Sequence, residues 1–174
     1  MLQKEIPNTL TANEKLTLDS LIKAGFEMDD IPALMGNIDK ETGGSFSYTQ
    51  LQDGGEGYGL FQFTDSKKIK HLTAYRDWLD KSDLEDGFDS QAKFVYDNIY
   101  AAGREVPYDI GGGNREKIRF SFDSASLPYK TFMFGKKYER FKGSQDLDVS
   151  EQNYKDRIES AEKYQGMLSK YTPQ

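Results

Sequence analysis

Apolar residues recur at three- and four-residue spacing in segment after segment of this chain, and most segments open on a capping residue or close on glycine. That pattern restricts the fold to short amphipathic helices, each needing neighbours to cover its apolar stripe. Thr11-Ala12-Asn13-Glu14 reads as a capping box, followed by Leu16, Leu18, Leu21 and Ile22 and ended by Gly25. A second helix begins near Asp29-Asp30, whose charges suit the positive end of its dipole, with Pro32 in the first turn. Its apolar face is Ile31, Leu34, Met35 and Ile38, and Gly43-Gly44 stop it. Thr64, Asp65 and Ser66 offer caps to a helix carrying Ile69, Leu72, Tyr75, Trp78 and Leu79. Phe88, Gln91, Val95 and Ile99 line another, stopped by Gly103. A further helix is expected around Leu127 to Tyr138, and Ser150 caps a last one with Tyr154, Ile158, Ala161, Tyr164 and Leu168 on one side.

Two stretches break the helical period. Glu105 to Asn114 reads as a loop, after which Ile118, Phe120 and Phe122 alternate as in a strand. From Ser45 to Phe63, Tyr48 to Gln52 suits a strand, Asp53-Gly54-Gly55-Glu56 a turn, and Tyr58 to Phe63 a return strand or an extended entry to the next helix. The expected architecture is mainly α (α+β), with one small β-hairpin-like insert after the second helix, in a single domain over residues 1–174.

Composition narrows the function. The net charge is −6 and no basic run stands out beyond Lys67, Lys68, Lys70 and His71, so the footprint of a nucleic-acid binder is missing. The chain has no cysteine and one histidine, which excludes disulfides, thiolate chemistry, a histidine-based triad and a multi-histidine metal site. No metal or cofactor is expected, and His71, in a Lys-rich helix, is expected at the surface. No run approaches the ~18 apolar residues of a membrane span, and Met1 to Glu5 lack the apolar core of a secretion signal. We therefore expect no membrane insertion and no secretion address. Tyr75 and Trp78, at helical spacing, suit packing better than a sugar platform, as do Tyr154 and Tyr164. The acidic stretches Asp80 to Asp89 and Asp146 to Glu151 suit solvated faces and caps.

One carboxylate lies where carboxylates are uncommon. Glu41 follows Ile38 by three residues and Leu34 by seven, which places it on the apolar face of the second helix at its last turn. There, desolvation by the core and the negative end of the helix dipole both disfavour a charged carboxylate, the condition a general acid working near neutral pH requires. The neighbouring Asp39 and Lys40 point elsewhere. A helix-end Glu turned to solvent is the commoner case; the insert that follows favours a chemical role. It puts Asp53 and Glu56 among four glycines, and glycosidic cleavage needs a second carboxylate or a carboxylate-held water across the scissile bond. Either acid suits that role, and either also suits an ordinary glycine-rich turn.

Taken in order, these residues resemble a known family. Met35-Gly36-Asn37-Ile38-Asp39-Lys40-Glu41, then Gly57-Tyr58-Gly59-Leu60-Phe61-Gln62-Phe63-Thr64, then Lys67-Lys68, is similar to the pattern of phage tail-associated lysozymes, near goose-type lysozymes and lytic transglycosylases. Gln91 to Phe94 resembles that family's Gln-x-x-Phe helix, Tyr138-Glu139-Arg140 its Tyr-Glu-Arg turn, and the final Tyr-rich helix its C-terminus. The chain departs from the pattern at Phe63, where Trp is frequent, and at Phe141, where Pro follows. The resemblance implies a lysozyme-like two-lobed fold with a cleft between the lobes. It implies a muramidase that cuts the β-1,4 bond between N-acetylmuramic acid and N-acetylglucosamine in peptidoglycan glycan strands, with Glu41 as the acid; the turn read above then offers Asp53 or Glu56 to assist. Tyr48, Tyr58, Gly59 and Gln62 then belong to the substrate cleft. Phage tail or virion proteins are the implied partners, and a phage virion, or the host cytoplasm before release, is the implied location. A lytic transglycosylase forming anhydro-muramic ends and a non-catalytic wall-binding virion protein are the alternatives.

Overall fold

The computed structural model describes residues 9–51, 57–65, 70–100, 125–135 and 152–170. Over these the chain forms α1 (Ala12–Ala24), α2 (Ile31–Glu41), α3 (His71–Ser82), α4 (Phe88–Val95), α5 (Leu127–Phe134) and α6 (Gln152–Leu168). A π-helical turn, Tyr96–Tyr100, continues α4. The mainly α class expected from the periodicity is the class observed. Gly103, the loop at 105–114, the alternating 118–122 stretch, Tyr138-Glu139-Arg140 and the Ser150 cap lie outside the described residues.

Local chemistry sets several of the helix ends. Thr11 Oγ1 accepts from Glu14 N at 3.2 Å while Glu14 accepts from Thr11 N at 2.6 Å, completing the capping box, and Gly25 closes α1 in the left-handed region at φ 107°. Ser126 caps α5 through Tyr129 N at 3.4 Å. Asp65 serves α3 from upstream, accepting from Thr73 N at 3.1 Å and from the Thr73 hydroxyl. The helix itself starts only at His71, whose N–H is taken by Thr64 O at 3.0 Å. That start turns His71 inward: it is buried, not at the surface as the lysine-rich surroundings suggest.

The helices form two packed groups, α2 with α5 and α6, and α1 with α4 and α3. One continuous apolar core joins them, from Leu18 and Leu21 through Ile31, Leu34 and Ile38 to Phe94, Phe134 and Tyr164. A buried ion pair at 2.6 Å between Asp30, at the head of α2, and Lys130 of α5 fixes one contact, with the Tyr100 hydroxyl also donating to Asp30. The tightest approach is between α2 and α6. A Cβ on Gly36 would lie 2.7 Å from both Ala161 N and Arg157 O, so only glycine lets the two backbones come this close. Tyr75 and Trp78 are buried in the core, and Tyr154 and Tyr164 pack as well.

The β-hairpin is not seen. Among the described residues the insert has only the isolated antiparallel bridges Leu51–Tyr58 and Tyr58–Phe63. Strand pairing needs side chains alternating between two faces. Here Leu60, Phe61, Gln62 and Phe63 are all buried in succession, around a tight turn in which Tyr58 and Phe63 exchange backbone hydrogen bonds of 3.0 and 2.8 Å. Gly59 at φ 79° and Gln62 at φ 47° make that turn.

Candidate active site

Glu41 ends α2 and keeps part of its surface open, its side chain 17% exposed. It is not a lone carboxylate against the core, as the periodicity suggests. The Arg157 guanidinium, on α6, donates through Nη2 to Glu41 Oε1. Arg157 itself is 1% exposed, and its orientation is fixed from behind. Nη1 donates to Asn37 Oδ1 at 2.7 Å and Nε to Asn153 Oδ1 at 2.8 Å. The guanidinium therefore spans one turn of α2, from Asn37 to Glu41, and is braced one turn back along its own helix.

Asn37 is in turn held by Nδ2 donating to Ala33 O at 2.8 Å and to Thr131 O at 3.1 Å, so one side chain ties α2, α5 and α6 together. The flanks are stitched by Lys40 to Asp156 at 2.7 Å and by Asp39 to Ser160 and Lys163. Asp39 and Lys40 thus do point away from Glu41, each toward a partner on α6. Among the described residues no hydrogen bond engages Glu41 Oε2.

Arg157 and Asn37 are the residues that sequence reading missed. A signal for the first was present: Arg157 lies three residues after Tyr154 and four before Ala161, on the apolar stripe of its helix, the criterion that singles out Glu41.

The insert leaves α2 through Thr42, whose hydroxyl donates to Ile38 O at 2.8 Å and accepts from Phe46 N at 3.1 Å. Phe46 is fully buried at φ 47°; it and Gln62 are non-glycine residues in the left-handed region, where each conformation costs about 1 kcal/mol. Ser45 donates to Gln50 Oε1 at 3.0 Å, and Gln50 O accepts from Gly59 N at 2.8 Å. Gln62 Nε2 donates to Gly59 O at 2.8 Å, and its buried Oε1 has no partner among the described residues.

The structure brings Tyr48, Tyr58, Gly59 and Gln62 together, around a hub formed by Gln91 of α4 and Asp86. Gln91 Oε1 accepts from Leu60 N at 2.9 Å, and its Nε2 donates to Tyr48 O at 2.8 Å and to Asp86 at 3.0 Å. A Cβ on Gly59 would meet Gln91 Nε2 at 2.7 Å, so glycine is required there for the hub to close. Asp86 also accepts from Tyr75 at 2.5 Å and from Tyr58. The sequence places it in a solvated acidic stretch; it is instead a half-buried acceptor organising the insert. Asp53 and Glu56 lie outside the described residues.

Burial, then the hydrogen bond to Asp86, pushes the Tyr58 phenol up to about 12 from 10.0. The same two causes raise Tyr75, and burial with the bond to Glu14 raises Tyr164. A raised phenol pKa means that the folded state holds the proton more tightly, so the contribution to stability is complete below pH 10 and is lost as pH rises toward about 12. Alkaline titration followed by tyrosinate absorbance should show exposed tyrosines ionising first, with these three ionising only as the helical signal is lost. Complete ionisation of all eleven tyrosines with the fold intact would contradict this.

The family model described as phage tail lysozyme matches residues 12–168, from the first residue of α1 to the last of α6. The chain belongs to the phage tail lysozyme family. Neither the curated proteins nor the solved structures contain a match to it. Membership in this lysozyme family supports, at the coarse level, a phage-associated, lysozyme-like protein directed at peptidoglycan. Among the described residues no helix is long and apolar enough to cross a membrane.

Proposed function

We propose that this chain is a muramidase that cuts the β-1,4 bond between N-acetylmuramic acid and N-acetylglucosamine, with Glu41 as general acid. The observation that carries the reading is a partly open carboxyl in the last turn of a helix, with Oε2 unengaged among the described residues. Family membership supplies the substrate class. Glu41 gives its proton to the glycosidic oxygen as the C1–O bond breaks, and charge develops on the sugar ring as an oxocarbenium-like state. Asp53 or Glu56, in the glycine-rich turn, steadies that charge or directs the attacking water. Tyr48 and Tyr58, half-buried, form the wall of the glycan cleft, and Gly59 and Gln62 build the floor beneath it. The setting is a phage virion or a lysis step, with tail or virion proteins as partners and the bacterial wall as the place of action.

The test is incubation with purified peptidoglycan, followed by mass spectrometry before and after borohydride reduction. Hydrolysis yields soluble muropeptides with reducible ends. Anhydro ends, which resist reduction, would instead mean that the muramic acid O6 attacks C1, as in a lytic transglycosylase. Binding without release of any fragment would make the chain a wall-binding module and end the catalytic reading.

A further inference from the structure

We infer that Arg157 is a positioning residue for the cleavage reaction: it fixes the rotamer of Glu41 through Oε1, so that Oε2 alone carries the proton to be delivered. The inference rests on the reading of Glu41 as the acid. Three features of the geometry carry it.

Arg157 is the largest fully buried side chain described, and a long, flexible, charged residue is placed at such a site only when its donors are matched. Its planar fork reaches Asn37 and Glu41 on adjacent turns of α2, while Asn153 holds Nε, so the guanidinium cannot rotate without losing bonds on both helices. The approach of α2 to α6 at Gly36 and Ala161 sets the register that makes this reach possible.

The consequence for chemistry follows from where charge appears. As Oε2 gives up its proton to the leaving oxygen, the carboxylate left behind is already bonded to a guanidinium that needs no reorientation. A carboxyl free to turn about its last torsions would present Oε2 in the productive direction for only part of the time. The arginine therefore acts on the chemical step and leaves glycan binding alone.

The experiment uses the full chain on soluble, uncrosslinked glycan strands, with kcat and KM measured for the wild type, Arg157→Met, Arg157→Lys and Asn153→Ala, and Glu41→Gln alongside. Folding of each variant is checked by circular dichroism and thermal unfolding. The expected result is a kcat about 100-fold lower in Arg157→Met, about tenfold lower in Arg157→Lys, and KM within about twofold of wild type in both. Lysine restores the charge but not the fork, so partial recovery is the signature of positioning. Unchanged kcat per folded molecule in Arg157→Met, or a change confined to KM, would overturn the inference.

Should Arg157→Met fail to fold, Asn153→Ala decides, because it leaves the arginine in place and removes the bond that Asn153 makes to Nε. A several-fold fall in kcat at unchanged KM supports positioning, and wild-type kcat contradicts it. Full activity in Glu41→Gln identifies a different failure, that of Glu41 as the acid.

Discussion

Gly36→Ala should lower the stability of this chain by about 2–3 kcal/mol, against the ordinary preference of a helix interior for alanine. In an isolated α2 the substitution would stabilise by about 1 kcal/mol. Here the added methyl meets Ala161 N and Arg157 O at 2.7 Å, and both are backbone atoms that cannot swing aside. The helices must separate, and the separation loosens what depends on their register: the Arg157 bonds to Asn37 and Glu41, the ion pair of Lys40 with Asp156, and the core around Ile38 and Tyr164. The clash therefore outweighs the propensity gain. Urea unfolding should show a lower midpoint at an unchanged slope. A midpoint equal to or above wild type would mean that the two helices do not approach as described.

Glu41→Gln should reduce glycan cleavage by about 100- to 10,000-fold, the range a general acid contributes, while leaving glycan binding intact. Glutamine keeps the shape of the side chain and an oxygen for the Arg157 donor, but it has no proton of suitable acidity to give. The ion pair becomes a hydrogen bond from the still-charged guanidinium to a neutral amide oxygen, which keeps Arg157 bonded and the variant folded. The contrast with Gly36→Ala is informative: one substitution spares the fold and removes the chemistry, and the other strains the fold that aims it.

Much of this architecture is legible in the sequence because it is local. The capping box at Thr11 and Glu14, the stop at Gly25 and the stripe on α2 are each written within a few neighbouring residues, and each forms as expected. What depends on tertiary contact is not written in that way. Gly36 reads as a weak point in a helix until its neighbour on α6 is known. The partners of Arg157 on α2 lie 116 and 120 positions away, beyond any periodicity.

The insert departs from its sequence pattern for a related reason. Gly-rich turns between aromatic runs suggest a hairpin, but over residues 57–63 the amides of Gly59 and Leu60 go to Gln50 and Gln91, and the four successive side chains of Leu60 to Phe63 turn inward. Tyr48, Tyr58, Gly59 and Gln62 lie together in the structure, and the reason is the hub of Gln91 and Asp86. Gln91 was placed on the correct helix face, but nothing in its spacing indicates that it closes the insert.

The role proposed for Glu41 is to deliver a proton to a glycosidic bond of peptidoglycan. Its most direct test is mass spectrometry of the fragments that wild type and Glu41→Gln release from the same purified walls, at equal concentrations of folded protein. The wild type should release muropeptides and the variant almost none, although both bind the walls. Equal release by the two proteins would contradict that role.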